Sequence, residues 1–150
     1  MADTSRAGTG VTGVWNVSLG DWDTSLETGM ELIDRQHQAL FGQIRVLLDP
    51  SKGDRIEETL AFMASYAVEH FATEEHLHQE TDYPHAGEHL RAHHRFVAEF
   101  VELKKEYDDS GHSLKILMKL AKFLLDWLKD HIRGQDQEFA DYFHQLRPPT

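Results

Sequence analysis

Between His70 and Gln79 the chain reads HFATEEHLHQ, with three histidines and two adjacent glutamates in ten residues. Imidazole and carboxylate are the side chains that hold either a proton or a metal ion near neutral pH. The 150-residue sequence has 11 histidines and no cysteine. Thiolate zinc sites, thiol nucleophiles and disulfides are therefore excluded, and any metal chemistry must use nitrogen and oxygen donors. On a helix, His70/Glu74 and His89/His93 are i, i+4 pairs, about 40° apart around the axis, so each pair presents two donor atoms to one point. His131 and Asp136 are five apart, roughly 140° on a continuous helix. They share a site only if the chain leaves the helix between them, and Gly134 sits where that departure is needed.

Helices must carry these groups. From Glu31 the inward positions at 3.6 spacing are Ile33, His37, Leu40, Phe41, Ile44, Leu47 and Leu48. PSKGD breaks the chain, and Asp54 with Glu57 predicts a capping box for a second helix whose stripe is Ile56, Leu60, Met63, Ala67, His70, Glu74 and Leu77. ETDYP ends it, with Pro84 suited to the first turn of a third helix. That stripe runs Ala86, His89, His93, Phe96, Val97, Phe100 and Leu103. A fourth runs Leu117, Ala121, Leu124, Leu128 and His131, with Gly134 as a stop signal. A short amphipathic helix with Phe139, Tyr142 and Phe143 follows.

Four helices of similar length with short connections predict an all-α fold, an antiparallel up-down-up-down four-helix bundle with an N-terminal arm and a short C-terminal helix. A lone histidine on an apolar stripe is usually a satisfied core residue. Here His37, His70, His89, His93 and His131 are all inward. The topology brings them to one end of the bundle, because His37, His89 and His93 are early in their helices while His70, Glu74 and His131 are late. Unpaired, each buried polar group costs on the order of 1–3 kcal/mol, and a metal removes that cost by taking the lone pairs. His76, His85, His94, His112 and His144 fall off the stripes and read as surface.

The rest of the composition sets limits. Hydrophobic residues make up 40% of the chain, enough for one domain burying about two-thirds of its unfolded surface. Asp and Glu outnumber Lys and Arg 26 to 15, for a net charge of −11, so nucleic acid and anionic membranes are poor partners. No apolar run suits a signal peptide or a membrane span, so a cytoplasmic protein without membrane insertion is expected. Residues 1–13 read as a flexible tail and 14–150 as one domain. Its first part, Val14 to Gly29, is an ordered arm carrying two tryptophans.

Together, WDTSLETGMELIDRQHQALF, HFATEEHLH, YPHAGEHLRAHHRF and WLKDHIRGQDQEF resemble the hemerythrin family, specifically its single-domain bacterial members, over nearly the whole chain. The resemblance implies a non-haem di-iron centre, with an oxo or hydroxo bridge, that binds O2 reversibly. His89, His93 and His131 would hold one iron, His37 and His70 the other, with Glu74 and Asp136 bridging. One coordination position, on the two-histidine iron, would be open for O2. Leu40, Phe71, Trp127 and Leu128 lie within a turn of these positions and are candidates for a dry pocket lining, or else ordinary core. Glu75, Asp34 and Glu69 are near enough to accept a ligand's second ring proton, or else they lie on a solvated face.

Where the family commonly has methionine, four residues after the bridging glutamate, this chain has His78. It either faces the centre, admitting a proton or water, or is a half-exposed residue at a helix end. The function implied is O2 storage, delivery or sensing, with no catalytic residue. The alternatives are a di-iron enzyme acting on peroxide or nitric oxide, and an interaction module switched by the metal state. Ferritin-like oxidases use two ExxH motifs and a carboxylate-rich set. The histidine-rich set here favours binding, with O2 as the partner and small anions or nitric oxide as others; no protein partner is implied.

Overall fold

The computed structural model describes residues 22–146. The tail expected over 1–13, the arm up to residue 21 and the closing RPPT lie outside the described residues. Helix α1 spans Glu31–Leu47, α2 Ile56–Glu80, α3 Ala86–Asp109 and α4 Leu114–His131. A π turn, Ile132–Asp136, leads into α5, Gln137–Leu146. Packing of α1 on α2, α2 on α3, α3 on α4 and α4 on α1 closes the four into the expected bundle.

Local chemistry sets the helix ends. Before α1, Gly29 has φ +82°, and a Cβ there would stand 2.9 Å from the His144 imidazole, so only glycine fits. Asp34 reaches back from the first turn and accepts from the Thr28 amide at 2.8 Å, the Thr28 hydroxyl at 2.9 Å and the Gly29 amide at 3.1 Å. After α2, Asp82 takes φ +52° and the Tyr83 amide donates to the His78 carbonyl at 3.0 Å, closing the helix end. Ser113 caps α4 by accepting from the Ile116 amide.

The buried residues form two apolar layers. The larger runs through the bundle and includes Leu26, Phe41, Ile44, Leu60, Phe100, Leu120, Ala121 and Leu124. The smaller comprises Met30, Ile33, Tyr83, Phe139 and Ala140 at one end. Trp22 packs edge-on against Phe41 at 5.5 Å, so the described part of the arm covers the larger layer. Apart from a 3-10 turn at Thr24–Leu26, that part has no regular structure.

Several local expectations are corrected. No capping box forms at Asp54: the α2 N-cap is Arg55, without a side-chain bond. A 3-10 turn, Pro50–Arg55, runs straight into α2, and Asp49 caps that turn by accepting from the Ser51 amide. Pro84 precedes α3 rather than entering its first turn. Gly134 does not stop the chain but lies within the π turn. Val97 is 36% exposed and Leu77 only half-buried, while His78, on the next position, is 2% exposed. The reading of His78 as half-exposed is therefore wrong; one turn beyond Glu74 it points into the end of the bundle.

Candidate metal centre

Between the two apolar layers lie His37, His70, Glu74, His89, His93, His131 and Asp136, each at most 7% exposed. Helix α1 supplies His37, α2 supplies His70 and Glu74, α3 supplies His89 and His93, α4 supplies His131, and the π turn supplies Asp136. The π turn answers the spacing problem of the last pair. Its i to i+5 hydrogen bonding winds more residues into one turn, so positions five apart return to nearly the same face. Asp136 Oδ1 thereby comes within 3.2 Å of His131 Nε2.

The donor atoms divide into two groups that share Glu74: His89, His93 and His131 on one side, His37, His70 and Asp136 on the other. Glu74 Oε1 is 3.1 Å from His93 Nε2 and 3.4 Å from His89 Nε2, while Oε2 is 3.4 Å from His70 Nε2 and 3.8 Å from His37 Nε2. Asp136 repeats the pattern: Oδ1 is 3.0 Å from His89 Nε2 and Oδ2 is 3.0 Å from His37 Nε2. Each carboxylate thus turns one oxygen to the three-histidine group and the other to the two-histidine group.

The electrostatics suit cations. Among the described residues, His37 Nε2, His70 Nε2, His93 Nε2, Glu74 Oε1 and both Asp136 oxygens are buried without a hydrogen-bond partner. His89 and His131 point their Nε2 atoms at each other across 2.9 Å. Burial lowers the pKa of His70 to about 3, of His78 to about 4, and of His93 further still, keeping these rings neutral with a lone pair available. Burial, reinforced by repulsion from Asp136, raises Glu74 well above the usual carboxylate range. Burial also pushes Asp136 upward, but the imidazoles clustered around it, His131 foremost with His37 and His89, hold it well below the usual carboxylate range. Five imidazoles and two carboxylates able to face two points fit a pair of borderline transition-metal ions.

Outer contacts fix two of the rings. His93 donates its Nδ1 proton to Glu75 Oε2 at 2.9 Å, and His70 donates Nδ1–H to Gln36 Oε1 at 2.7 Å. Each bond leaves Nε2 free to bind metal. Of the three acidic residues considered in the sequence, Glu75 is the one whose carboxylate meets one of these ring nitrogens. Asp34 anchors the chain before α1, and Glu69 contributes only its carbonyl, which accepts from Thr73, itself bonded to Gln36 at 3.3 Å. Gln36 was missed in the sequence. Its signal was a neutral amide beside His37, on the α1 face turned to α2. Replacing Glu75 with alanine is expected to weaken metal retention about 10–100-fold with little change in helicity, measured by chelator competition and circular dichroism.

Apolar rings hold the other faces. Phe71 stacks on His93, centroids 3.8 Å apart, and Trp127 stacks on His131 at 4.3 Å. Together with Leu40 and Leu128 they line a cavity of about 120 Å³ that continues past Ile44, Phe96 and Leu124. All four residues expected to form a pocket lining share this one cavity. His144 departs from its surface reading: half-buried, it donates from Nε2 to the Thr28 carbonyl at 2.9 Å.

A family model described as the hemerythrin HHE cation binding domain matches residues 28–143. The chain is 30% identical over 123 residues to the Bacteriohemerythrin of Stenotrophomonas maltophilia, covering 80% of this chain and 78% of that protein. It is 30% identical over 118 residues to the Myohemerythrin of Riftia pachyptila, with 79% and 88% covered. The Hemerythrin-like protein of Naegleria gruberi is 28% identical over 120 residues, with 79% and 89% covered.

Proposed function

The chain belongs to the hemerythrin family, and from that premise we propose that its buried cluster holds two iron ions and binds O2 reversibly, for storage, delivery or sensing. The observation that carries this reading is the paired placement of Glu74 and Asp136, each with one oxygen toward either histidine group. When bound, iron supplies the electrons and the open coordination position that reversible O2 binding needs. His89, His93 and His131 would hold one ion and His37 and His70 the other. The His37/His70 side has one protein donor fewer, which directs an external ligand to that side.

The remaining residues protect the site. Phe71 and Trp127 hold the His93 and His131 rings against rotation. The cavity beside them is apolar, and an apolar cavity of about 150 Å³ in a protein interior stays dry and accepts small apolar guests. None of the seven donor residues lines this cavity, so it would serve as an apolar approach on the His93 and His131 side, favouring O2 over water and anions. The donor set also favours binding over turnover, because both carboxylates would be engaged with the two ions and, among the described residues, no carboxylate lines the cavity to act as an acid or base. Among the described residues no helix is long and apolar enough to cross a membrane.

The test is metal analysis of the purified protein combined with anaerobic and aerobic absorption spectra. Two irons per chain are expected, with charge-transfer bands that appear in air and fade under vacuum. Steady consumption of hydrogen peroxide or nitric oxide, without reversible bands, would place the protein among di-iron enzymes instead.

A further inference from the structure

Among the described residues, three buried ring nitrogens, His37 Nδ1, His89 Nδ1 and His78 Nε2, have no partner and no role in the site as described so far. His89 turns Nε2 toward Asp136 and Glu74, and its opposite nitrogen, Nδ1, is buried without a hydrogen-bond partner among the described residues. His78 Nε2 is in the same condition. The two rings are neighbours, with centroids 4.5 Å apart and planes inclined at 49°. At a comparable ring separation of 4.7 Å, His89 and His131 place two nitrogens 2.9 Å apart, so the His78–His89 spacing is within reach of an imidazole–imidazole hydrogen bond. Tyr83 at 5.1 Å and Phe139 at 4.5 Å wall the other faces of His78, and with the residue 2% exposed, bulk water offers neither nitrogen a partner.

We propose that His78 is a positioning residue for His89: it accepts the His89 Nδ1–H at its own Nε2 and so holds the His89 Nε2 lone pair toward the two carboxylates. The inference rests on the proposed metal-binding role of His89. A neutral imidazole donates from one nitrogen and accepts at the other. A histidine that binds metal through Nε2 must carry its proton on Nδ1, and that proton needs an acceptor. Gln36 supplies one to His70 and Glu75 supplies one to His93. His78 is the group placed to do the same for His89, carrying its own proton on Nδ1. With the ring centroids 4.5 Å apart, rotation about the Cβ–Cγ bonds is the motion that would close the pair.

The test compares wild type with His78→Met, which keeps the volume and removes the strong acceptor, and His78→Gln, whose Oε1 restores one. Each protein is loaded anaerobically with ferrous iron and challenged with a chelator. In parallel, the metal-free proteins are examined by long-range 1H–15N NMR for the tautomer of His89 and by urea unfolding. His78→Met is expected to release iron at least about tenfold faster, with the unfolding midpoint of the metal-free protein unchanged or raised. His78→Gln should lie closer to wild type, and His89 should be Nδ1-protonated in wild type but of mixed tautomer in His78→Met. Equal iron retention in wild type and His78→Met, release from His78→Gln as fast as from His78→Met, or an Nε2-protonated His89 in wild type would overturn the role of His78. Failure of the wild type to hold iron would instead overturn the metal-centre reading, and this inference with it.

Discussion

Replacing Glu74 with leucine is expected to leave a folded protein that no longer retains two metal ions per chain. Glu74 is the member common to both donor groups, with one oxygen within 3.1 Å of His93 and the other within 3.4 Å of His70. Its loss removes a donor from each side at once. The expected fall in affinity exceeds the 10–100-fold effect of losing an outer hydrogen-bond partner. Stability without metal should move the other way. The Glu74 carboxyl is buried, shifted toward its neutral form, and has an oxygen without a hydrogen-bond partner among the described residues. An unsatisfied buried group costs about 1–3 kcal/mol, so leucine of similar volume should leave the metal-free protein as stable or more stable. Metal content after gel filtration, together with urea unfolding in the presence of chelator, measures both effects. A Glu74→Leu protein retaining two metals would sink the bridging assignment.

The second large effect is on the fold itself. Metal that binds only the native state stabilises it by about 4 kcal/mol per site at a thousandfold excess over its dissociation constant. For a domain of this size each kcal/mol moves the melting temperature by about 2–4 °C, so two filled sites should raise it by more than about 10 °C. Differential scanning calorimetry of loaded and metal-free protein reads this directly, and equal melting temperatures would contradict it.

The metal-free protein should also be sensitive to acid, and the sign follows from the shifts. His70, His78 and His93 are all lowered from an ordinary value of 6.5, to about 3 for His70 and about 4 for His78. Below pH 6.5 the unfolded chain takes up these protons and the folded one does not, so stability falls as pH drops toward 4. Glu74 and Glu75, raised in the folded state, act in the opposite sense, but they are two groups against three. A metal-free stability flat between pH 7 and pH 5 would refute the balance.

The helical periods, the bundle and the end of it at which the inward histidines meet are legible in the residue pattern. These follow from short-range rules: apolar positions at 3.6 spacing fix each helix's inward face, and short connections fix antiparallel neighbours. On those faces His37, His70, Glu74, His89, His93 and His131 are buried as the period predicts, while Leu77 and Val97, at the margins of their stripes, are not. Errors gathered where the local period changes or where two helices meet. Asp54 and Glu57 have the spacing of a capping box, but that spacing looks the same in sequence when Asp54 lies inside a 3-10 turn that runs into the helix. The spacing of His131 and Asp136 requires a departure from the α-helix, but a π turn and a break at glycine leave the same trace in the sequence. For His78 the sequence leaves two placements open, because one residue's difference in helix phase decides between solvent and interior, and packing against Tyr83, Phe139 and His89 selects the interior. Gln36 was invisible because its partner, His70, lies on another helix. Which atoms face each other across helices depends on the packed fold: hydrogen bonds and ring contacts are short and directional, and no periodicity within one chain segment reports on them.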